Sequence, residues 1–386
     1  MRSRSRLKAI PAIIYTALLV LVCISGPFHE APSDVKPLIG PAPAAEVTLS
    51  CGTYPVETTE LTAVIQSEDI SKLDSLSYLT RADFSGSSCW KEIAEWGQAH
   101  PLLELKYTVT LPDRTVLDNS AAELDLSSLG HAAAAETAEA LSCLPAVTHI
   151  NLGAQGTGSD ALTLADIGAI HEARPNAELD YSLTLYGHEI NLNDSALDFR
   201  GTEISDEAAA LNEVLPLMLR CTYLDMDNTG VSNEALAKIR EQFPNIDVVW
   251  RVWFGTNYSV RTDTERILAS KPTVGGMIYD ASVLQYCTKV KYLDLGHNDE
   301  LPSIDFVRNM PELEVLIIAM TAVRDISPLE SCPKLEYLEL NSTNIADISP
   351  LKNSTGLHHL NIAGCPNIKD ISPLYGLTEL ERLWIG

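Results

Sequence analysis

Basic residues are scarce in this chain, and the scarcity limits its partners. Its 386 residues include 27 Lys and Arg against 52 Asp and Glu, which gives a formal net charge of −25. A chain this acidic will not follow the phosphate backbone of a nucleic acid, so we expect no nucleic-acid partner. Solubility is the simplest explanation of the charge, and a basic ligand is the alternative.

Common catalytic and cofactor motifs are also absent. The sequence has no P-loop or Gly-x-Gly-x-x-Gly phrase, no Gly-x-Ser-x-Gly elbow and no His-Glu-x-x-His helix. It has no Cys-x-x-Cys phrase, and its eight cysteines lack the spacing of metal ligands. The adjacent histidines His358 and His359 would point to opposite sides of a strand. We therefore expect no enzymatic activity, no cofactor and no metal site.

The cysteines instead suggest packing roles. Cys143, Cys287 and Cys332 each precede a predicted strand by three or four residues, and this shared position predicts burial as small apolar side chains. Cys51 and Cys89 flank the first predicted unit. A disulfide between them would cap that unit, and the sequence leaves this pairing open.

The N-terminus has the composition of a targeting segment. Four basic residues within the first eight precede an apolar run over residues 9–24, which is short for a membrane span. Residues 1–25 are therefore predicted to be a signal peptide or, if uncleaved, a membrane anchor. Five prolines follow within residues 26–45. We expect residues 26–60 to form a stiff spacer and an N-terminal cap.

A repeated phrase dominates the last quarter of the chain. Asp-Ile-Ser-Pro-Leu occurs at residues 325–329, 347–351 and 370–374. Segments of the form Leu-x-x-Leu-x-Leu/Ile begin at Leu313, Leu335, Leu357 and Leu380, which are 22, 22 and 23 residues apart. A fixed period of this length predicts one supersecondary unit stacked on its copies, because a single unit cannot bury its own apolar face.

The alternation within each phrase predicts a strand. Leu338 and Leu340 would point inward while Tyr337, Glu339 and Asn341 point outward. Thr343 and its equivalents would place a small polar group where it can bond the backbone of the adjacent turn. The Ser-Pro step then turns the chain into a short convex segment. The Asp of each phrase recurs in every turn, so it is expected to serve the turn.

This pattern resembles the bacterial leucine-rich repeats of the internalin type, in which Asp-Ile-Ser-Pro-Leu recurs on a 22-residue period. The resemblance covers residues 290–386. It implies an α/β solenoid with a parallel sheet on its concave face, and recognition of a protein ligand on that face, as in cell-surface adhesins. The alternative function is a carbohydrate or cell-wall binding protein on the same scaffold, with Tyr292, Tyr337 and Trp384 as stacking surfaces.

Residues 61–289 repeat in a longer form. Strand-like phrases begin at residues 79, 147, 221 and 290, with spacings of 68, 74 and 69. Between them lie helix-like stretches such as Asn233–Gln242, a second strand phrase, and an alternating run with turn residues that predicts a hairpin. A third strand, such as Leu124–Leu126, is expected to close each unit. We predict irregular superrepeats of about 70 residues with hairpin extensions; a separate α/β domain is the alternative.

The alternation also defines candidate ligand-binding residues on the concave face. Three outward columns are predicted, of which the first two form the candidate site. The site residues are Tyr292, Asp294, Val315, Ile317, Tyr337, Glu339, His359, Asn361, Arg382 and Trp384. The third column is Gly296, Ala319, Asn341 and Ala363.

The last strand phrase predicts an open edge, with Leu380, Leu383 and Ile385 partly bare. Fraying, coverage by a second copy of the chain, and a longer natural sequence are the three alternatives. An exported protein is expected, either extracellular or on the cell surface. There is no Leu-Pro-x-Thr-Gly signal, so attachment is expected to depend on the N-terminal segment.

Overall fold

The computed structural model describes residues 45–386, so the predicted signal segment lies outside the described residues. The described part opens with a two-stranded sheet of β1 (Glu46–Leu49) and β2 (Gly52–Pro55). No helix within residues 45–386 has the length and apolar character needed to cross a membrane.

Three irregular units follow, each alternating strands with helices and ending in a hairpin. The first contains β3 (Glu60–Thr62), α1 (Ile70–Leu73), β4 (Arg81–Asp83), α2 (Trp90–Ala99), β5 (Glu104–Lys106), β6 (Thr108–Thr110) and β7 (Val116–Asp118). The second contains β8 (Glu123–Asp125), α3 (His131–Ser142), β9 (His149–Ala154), α4 (Leu164–Ala173), β10 (Glu178–Leu185) and β11 (His188–Asn191). The third contains β12 (Ala196–Asp198), α5 (Ala209–Val214), β13 (Tyr223–Asp225), α6 (Asn233–Gln242), β14 (Asp247–Val249), β15 (Arg251–Phe254) and β16 (Tyr258–Arg261).

Two of the longer helices, α4 and α6, start at a side-chain cap. Ser232 precedes α6, and its hydroxyl accepts a hydrogen bond from the Ala235 amide. Thr163 and Asp166 form a reciprocal capping box at the start of α4. Leu236 and Ile239, three residues apart, are buried on the inner side of α6. A cap and one apolar stripe therefore place each of these helices against the strands.

Each unit extends one strand into an antiparallel hairpin, as the alternating runs predict. The hairpins pair β6 with β7, β10 with β11, and β15 with β16. The second turns through Tyr186 and Gly187, both at positive φ, which matches the geometry of a tight hairpin turn. The predicted hairpin extensions are confirmed.

The predicted role of the third strand is wrong in one respect. It does not close its unit, because β8 pairs with β9 and β12 pairs with β13, in each case in parallel. Each hairpin therefore separates one short sheet from the next, and the strand after it opens the following sheet. The sequence also gave no indication of β3, which pairs with β4.

The regular part is one parallel sheet of six strands in chain order. It contains β17 (Arg266–Leu268), β18 (Tyr292–Asp294), β19 (Val315–Ile317), β20 (Tyr337–Glu339), β21 (His359–Asn361) and β22 (Arg382–Trp384). The short helix α7 (Lys271–Val274) follows β17. Single 3₁₀ turns return the chain at Ser282–Tyr286, Asp305–Asn309, Ser327–Ser331, Ser349–Asn353 and Ser372–Gly376. A parallel-strand solenoid with α/β content is the predicted fold class, which is confirmed.

The core of the regular part is the predicted apolar layer. Leu335, Leu338 and Leu340 have no exposed surface, and Ile345 and Ile348 pack below them. In every Asp-Ile-Ser-Pro-Leu phrase the aspartate accepts a hydrogen bond from the serine amide two residues later, as Asp347 does from Ser349 at 2.8 Å. The repeated aspartate therefore fixes the turn, as expected.

A buried polar ladder runs beside this core. The Asn298 side chain donates to the carbonyls of Ala269 in the preceding turn and Leu295 in its own, at 3.0 and 2.8 Å. Thr343 donates to the Leu340 carbonyl of its own turn at 2.7 Å, and its hydroxyl lies 3.4 Å from the Cys365 thiol of the next turn. Asparagine, with two donors, therefore joins neighbouring turns as predicted, whereas threonine satisfies a carbonyl of its own turn.

A left-handed residue recurs five positions after the start of seven of the described strands. Members of this set have φ between 55° and 84°. They are Gly86, Gly201, Asn228, His297, Met320, Ser342 and Gly364. The backbone must reverse sharply there to leave the sheet, so glycine or asparagine suits the position and methionine is strained.

The sequence left a Cys51–Cys89 disulfide open, and in the structure both cysteines are free thiols. The Cys89 thiol is buried and faces the carbonyl of Ile65 at 3.4 Å, whereas Cys51 is exposed near the Tyr54 hydroxyl. Cys287 and Cys332 are buried as expected, but Cys143 is only half-buried. Burial raises the pKa of Cys287 to about 12, so this thiol stays protonated.

We predict that Leu338→Ala lowers the free energy of unfolding by about 2–5 kcal/mol, because it empties a fully buried site. Leu383 is the matched control, since it occupies the same place in β22 but is 38% exposed. Leu383→Ala should cost clearly less. Urea unfolding followed by circular dichroism measures both, and equal losses would contradict the assigned core.

Met320→Gly should raise the free energy of unfolding by up to about 1 kcal/mol, because it relieves left-handed strain that exceeds the entropy cost of glycine. Gly364→Ala is the converse variant and should lower the free energy of unfolding. Both changes are read from urea melts. A loss of stability in Met320→Gly would show that the Met320 side chain contributes more than its backbone strain costs.

Candidate functional site

The sheet face is defined here as the two rows of outward side chains on the six-stranded sheet. Parallel pairing of each strand with the next, from β18 through β22, aligns the rows in the predicted register. The first row is Tyr292, Val315, Tyr337, His359 and Arg382, and the second is Asp294, Ile317, Glu339, Asn361 and Trp384. The structure thus brings together all ten candidate residues; their contact with a ligand stays a prediction.

The first row is linked by aromatic contacts. The rings of Tyr337 and His359 are 5.6 Å apart at their centroids. The Tyr337 hydroxyl donates to the Glu339 carboxylate, and this hydrogen bond is the main reason that the pKa of Tyr337 rises to about 12. Tyr337 is therefore a neutral phenol with a fixed hydroxyl, and Glu339 is held beside it.

The second row has a different character. Asp294 accepts a hydrogen bond from the Gly296 amide at 2.9 Å, and Asn361 accepts one from the Ala363 amide at 3.1 Å. The same bond recurs at equivalent strands of the irregular units. The other acceptors are Asp83, Asp125, Asn151, Asp198 and Asp225. Asp294 and Asn361 are therefore caps of their strands first, and any role in binding comes second.

The third predicted column is only partly outward. Gly296 and Ala319 are buried, whereas Asn341 and Ala363 are half-buried. A side chain added at Gly296 would lie 3.2 Å from the Asp294 carboxylate and 3.5 Å from Ile317. The expectation of an exposed column is wrong at Gly296 and Ala319, because the second row leans over these small residues.

Sequence reasoning missed the first strand of the face. Arg266 and Leu268 on β17 pair with Tyr292 and Asp294, so they extend both rows by one strand. The Arg266 guanidinium lies over the Tyr292 ring at 4.4 Å. A signal was present, since Ile267-Leu268-Ala269 follows the third hairpin as Leu124-Asp125-Leu126 follows the first.

A cluster of ion pairs lies on the outward side of the third unit. Arg261 contacts Asp225 at 3.0 Å and Asp227 at 3.4 Å, and Arg251 contacts Asp227 at 3.0 Å. Both aspartates are buried, so these pairs are screened less than surface pairs. The pairs fix the third hairpin to the neighbouring strand β13. They also neutralise the charge of Arg251.

Histidine and cysteine form no metal centre in the described part of the chain. No group of three or more His, Cys, Asp or Glu side chains in residues 45–386 is arranged to hold a metal ion. His359 faces outward on the sheet, while the neighbouring His358 ring lies 3.1 Å from the Glu379 carbonyl. The arrangement suits contact with a partner surface better than proton transfer.

The strand caps lead to a stability prediction. Asn361→Ala should lower the free energy of unfolding by about 1 kcal/mol, because the Ala363 amide loses its acceptor. Asn361→Asp is the control: aspartate caps five equivalent strands and should preserve stability. Urea melts give both values. If both variants lose stability equally, the cap does not explain the residue.

Comparisons with known proteins agree on the repeat. The family model described as leucine-rich repeats (2 copies) matches residues 311–353. Curated proteins give no match. Among solved structures, an internalin (InlF) of Listeria monocytogenes is 15% identical, with a TM-score of 0.27, over 86% of this chain and 76% of its own. A leucine-rich-repeat protein of Leptospira interrogans is 13% identical, with a TM-score of 0.30, over 84% and 95%.

Sequence identities and TM-scores this low give no information about ligands. The repeat within this chain is the stronger observation. Residues 311–353 hold two of the regular turns, each with an Asp-Ile-Ser-Pro-Leu phrase and a parallel strand. With this phrase and sheet, residues 311–353 are leucine-rich repeats, and the same period and parallel strand pairing continue through residues 290–386.

Proposed function

We propose that this chain is a non-enzymatic binding protein that recognises a protein ligand on the sheet face. The carrying observation is a row of tyrosine, histidine and arginine side chains held in register on a rigid sheet. Tyrosine, tryptophan and arginine are the residues that most often anchor protein interfaces. Six strands spaced by about 4.8 Å make this face about 24 Å wide, which suits an extended macromolecular contact.

The packing of the aromatic rings on the sheet face favours a protein ligand over a carbohydrate ligand. Arg266 covers one side of Tyr292, and His359 packs beside Tyr337, whose hydroxyl is already bonded to Glu339. A sugar ring needs an open aromatic plane, and on the sheet face Trp384, at 43% exposure, offers one. Rings packed in this way present edges and polar tips, which match a protein surface.

Export belongs to the same proposal. Residues 1–25 supply the targeting segment, and the Pro-rich stretch after it would hold the repeats away from a membrane or wall. The excess of acidic side chains keeps such a protein soluble outside the cell. We therefore propose a secreted or surface-attached protein with a role in adhesion.

The double variant Tyr337→Ala/Trp384→Ala tests the face. We expect it to lower capture of candidate host-surface or envelope proteins at least about tenfold, because it removes two anchors from neighbouring rows. Immobilised wild type and variant are exposed to the same candidate proteins, and captured proteins are quantified by mass spectrometry. Affinity for each captured partner is then measured with purified protein.

The matched control is Tyr78→Ala/Tyr375→Ala. These tyrosines are 58% and 80% exposed and lie outside both rows of the sheet face. The control should bind like the wild type. Binding that survives the sheet-face variant but fails in the control places the interface elsewhere and refutes the proposal.

A further inference from the structure

Trp253 lies on the outward side of the third hairpin and is 59% exposed. The three hairpins share one register. In each of them the amide of the residue that follows the second strand donates to the carbonyl of the residue that precedes the paired part of the first strand. That register makes Thr110 and Thr184 the equivalents of Trp253, and both are exposed. The fold therefore accepts a small polar side chain here and does not need an indole.

A cavity lies directly beside this indole. Its volume is about 330 Å³, and it opens between the third hairpin and the loop that joins β13 to α6. Pockets of about 300–1,000 Å³ are the usual size for small-molecule ligands. Polar and apolar residues both line it: the polar ones are Asn228, Thr229, Ser232, Asn233 and Arg251, and the apolar ones are Met226, Val231, Leu236, Trp250 and Trp253.

Most polar groups of this wall are already bonded within the protein. Arg251 is paired with Asp227 at 3.0 and 3.1 Å, and Thr229 donates to the Met226 carbonyl. The Ser232 hydroxyl donates to Glu207 at 2.6 Å. The Asn228 amide makes no hydrogen bond with any residue that the structure describes, and it is exposed. The Asn233 carbonyl oxygen accepts a hydrogen bond from the Trp250 indole at 2.9 Å, which leaves its NH2 group available. The cavity thus offers the exposed Trp253 indole and two amides, without a free charge.

We propose that this cavity binds a neutral saccharide, with a pyranose ring stacked on Trp253 and its hydroxyls bonded to Asn228. A sugar ring has one apolar face for the indole and hydroxyls that both donate and accept, as an amide requires. A charged sugar finds no counter-ion here, because Arg251 is neutralised by Asp227. The site is distinct from the sheet face and does not depend on a protein ligand binding there.

Binding of neutral oligosaccharides tests this proposal. The probes are tetrasaccharides of α- and β-linked glucose and of N-acetylglucosamine. They are titrated at millimolar concentration into the full-length protein, and binding is followed by calorimetry and saturation-transfer NMR. We expect at least one probe to bind. Trp253→Thr, which restores the residue type of the other two hairpins, should weaken that binding at least about tenfold.

Two further variants separate the possible outcomes. Asn228→Gly keeps the left-handed backbone and removes the side-chain amide, so it should weaken the same probe. Tyr375→Thr removes an aromatic ring that is 80% exposed and lies outside both this cavity and the sheet face, so it should leave probe binding unchanged. The proposal is overturned if no neutral probe binds, if binding survives Trp253→Thr in a folded protein, or if Trp253→Thr reduces only the capture of a protein partner.

Discussion

Burial of a single leucine layer is the constraint on which this molecule depends. A strand of three residues has one inward side chain, such as Leu338 in β20, and cannot shield it alone. Neighbouring strands on either side complete the burial, so turns must stack in register and in parallel. The short 3₁₀ returns, the aspartate turns and the left-handed residues after the strands all bring the chain back to the next strand. The outward rows are then fixed in register whatever their composition.

This constraint explains how much of the fold could be predicted. A two-residue alternation with a fixed period determines which side of each strand is buried, so the rows from Tyr292 to Arg382 follow from the sequence. It does not determine which sheet a strand joins. The sequence of the third strand in each irregular unit is compatible with either neighbouring sheet. Only the backbone pairing shows that β8 joins β9. The sequence likewise leaves the Cys51–Cys89 pairing open, and only the structure shows both cysteines as free thiols.

The candidate site was predictable in position and less so in chemistry. Alternation places Asp294 and Asn361 outward, yet their bonds to the amides two residues later depend on the turn geometry. The predicted exposure of the third column is wrong at Gly296, because neighbouring side chains cover a residue that has no side chain of its own. Arg266 is not among the predicted residues, although its strand has the same pattern as the equivalent strands. The sequence places this strand, which follows the third hairpin, in the irregular region.

The irregular units show what the hairpins add to a repeat scaffold. Regular turns allow variation only on their outward rows, because every other position serves the stack. A hairpin extends a strand beyond the sheet and adds outward positions that no neighbouring turn covers. In the third unit Arg261 and Arg251 anchor the hairpin to buried aspartates, so Trp253 is displayed on a fixed support. A rigid support lowers the entropy cost of binding at that position. The chain therefore has two surfaces of different chemistry, one continuous across the strands and one local to a hairpin.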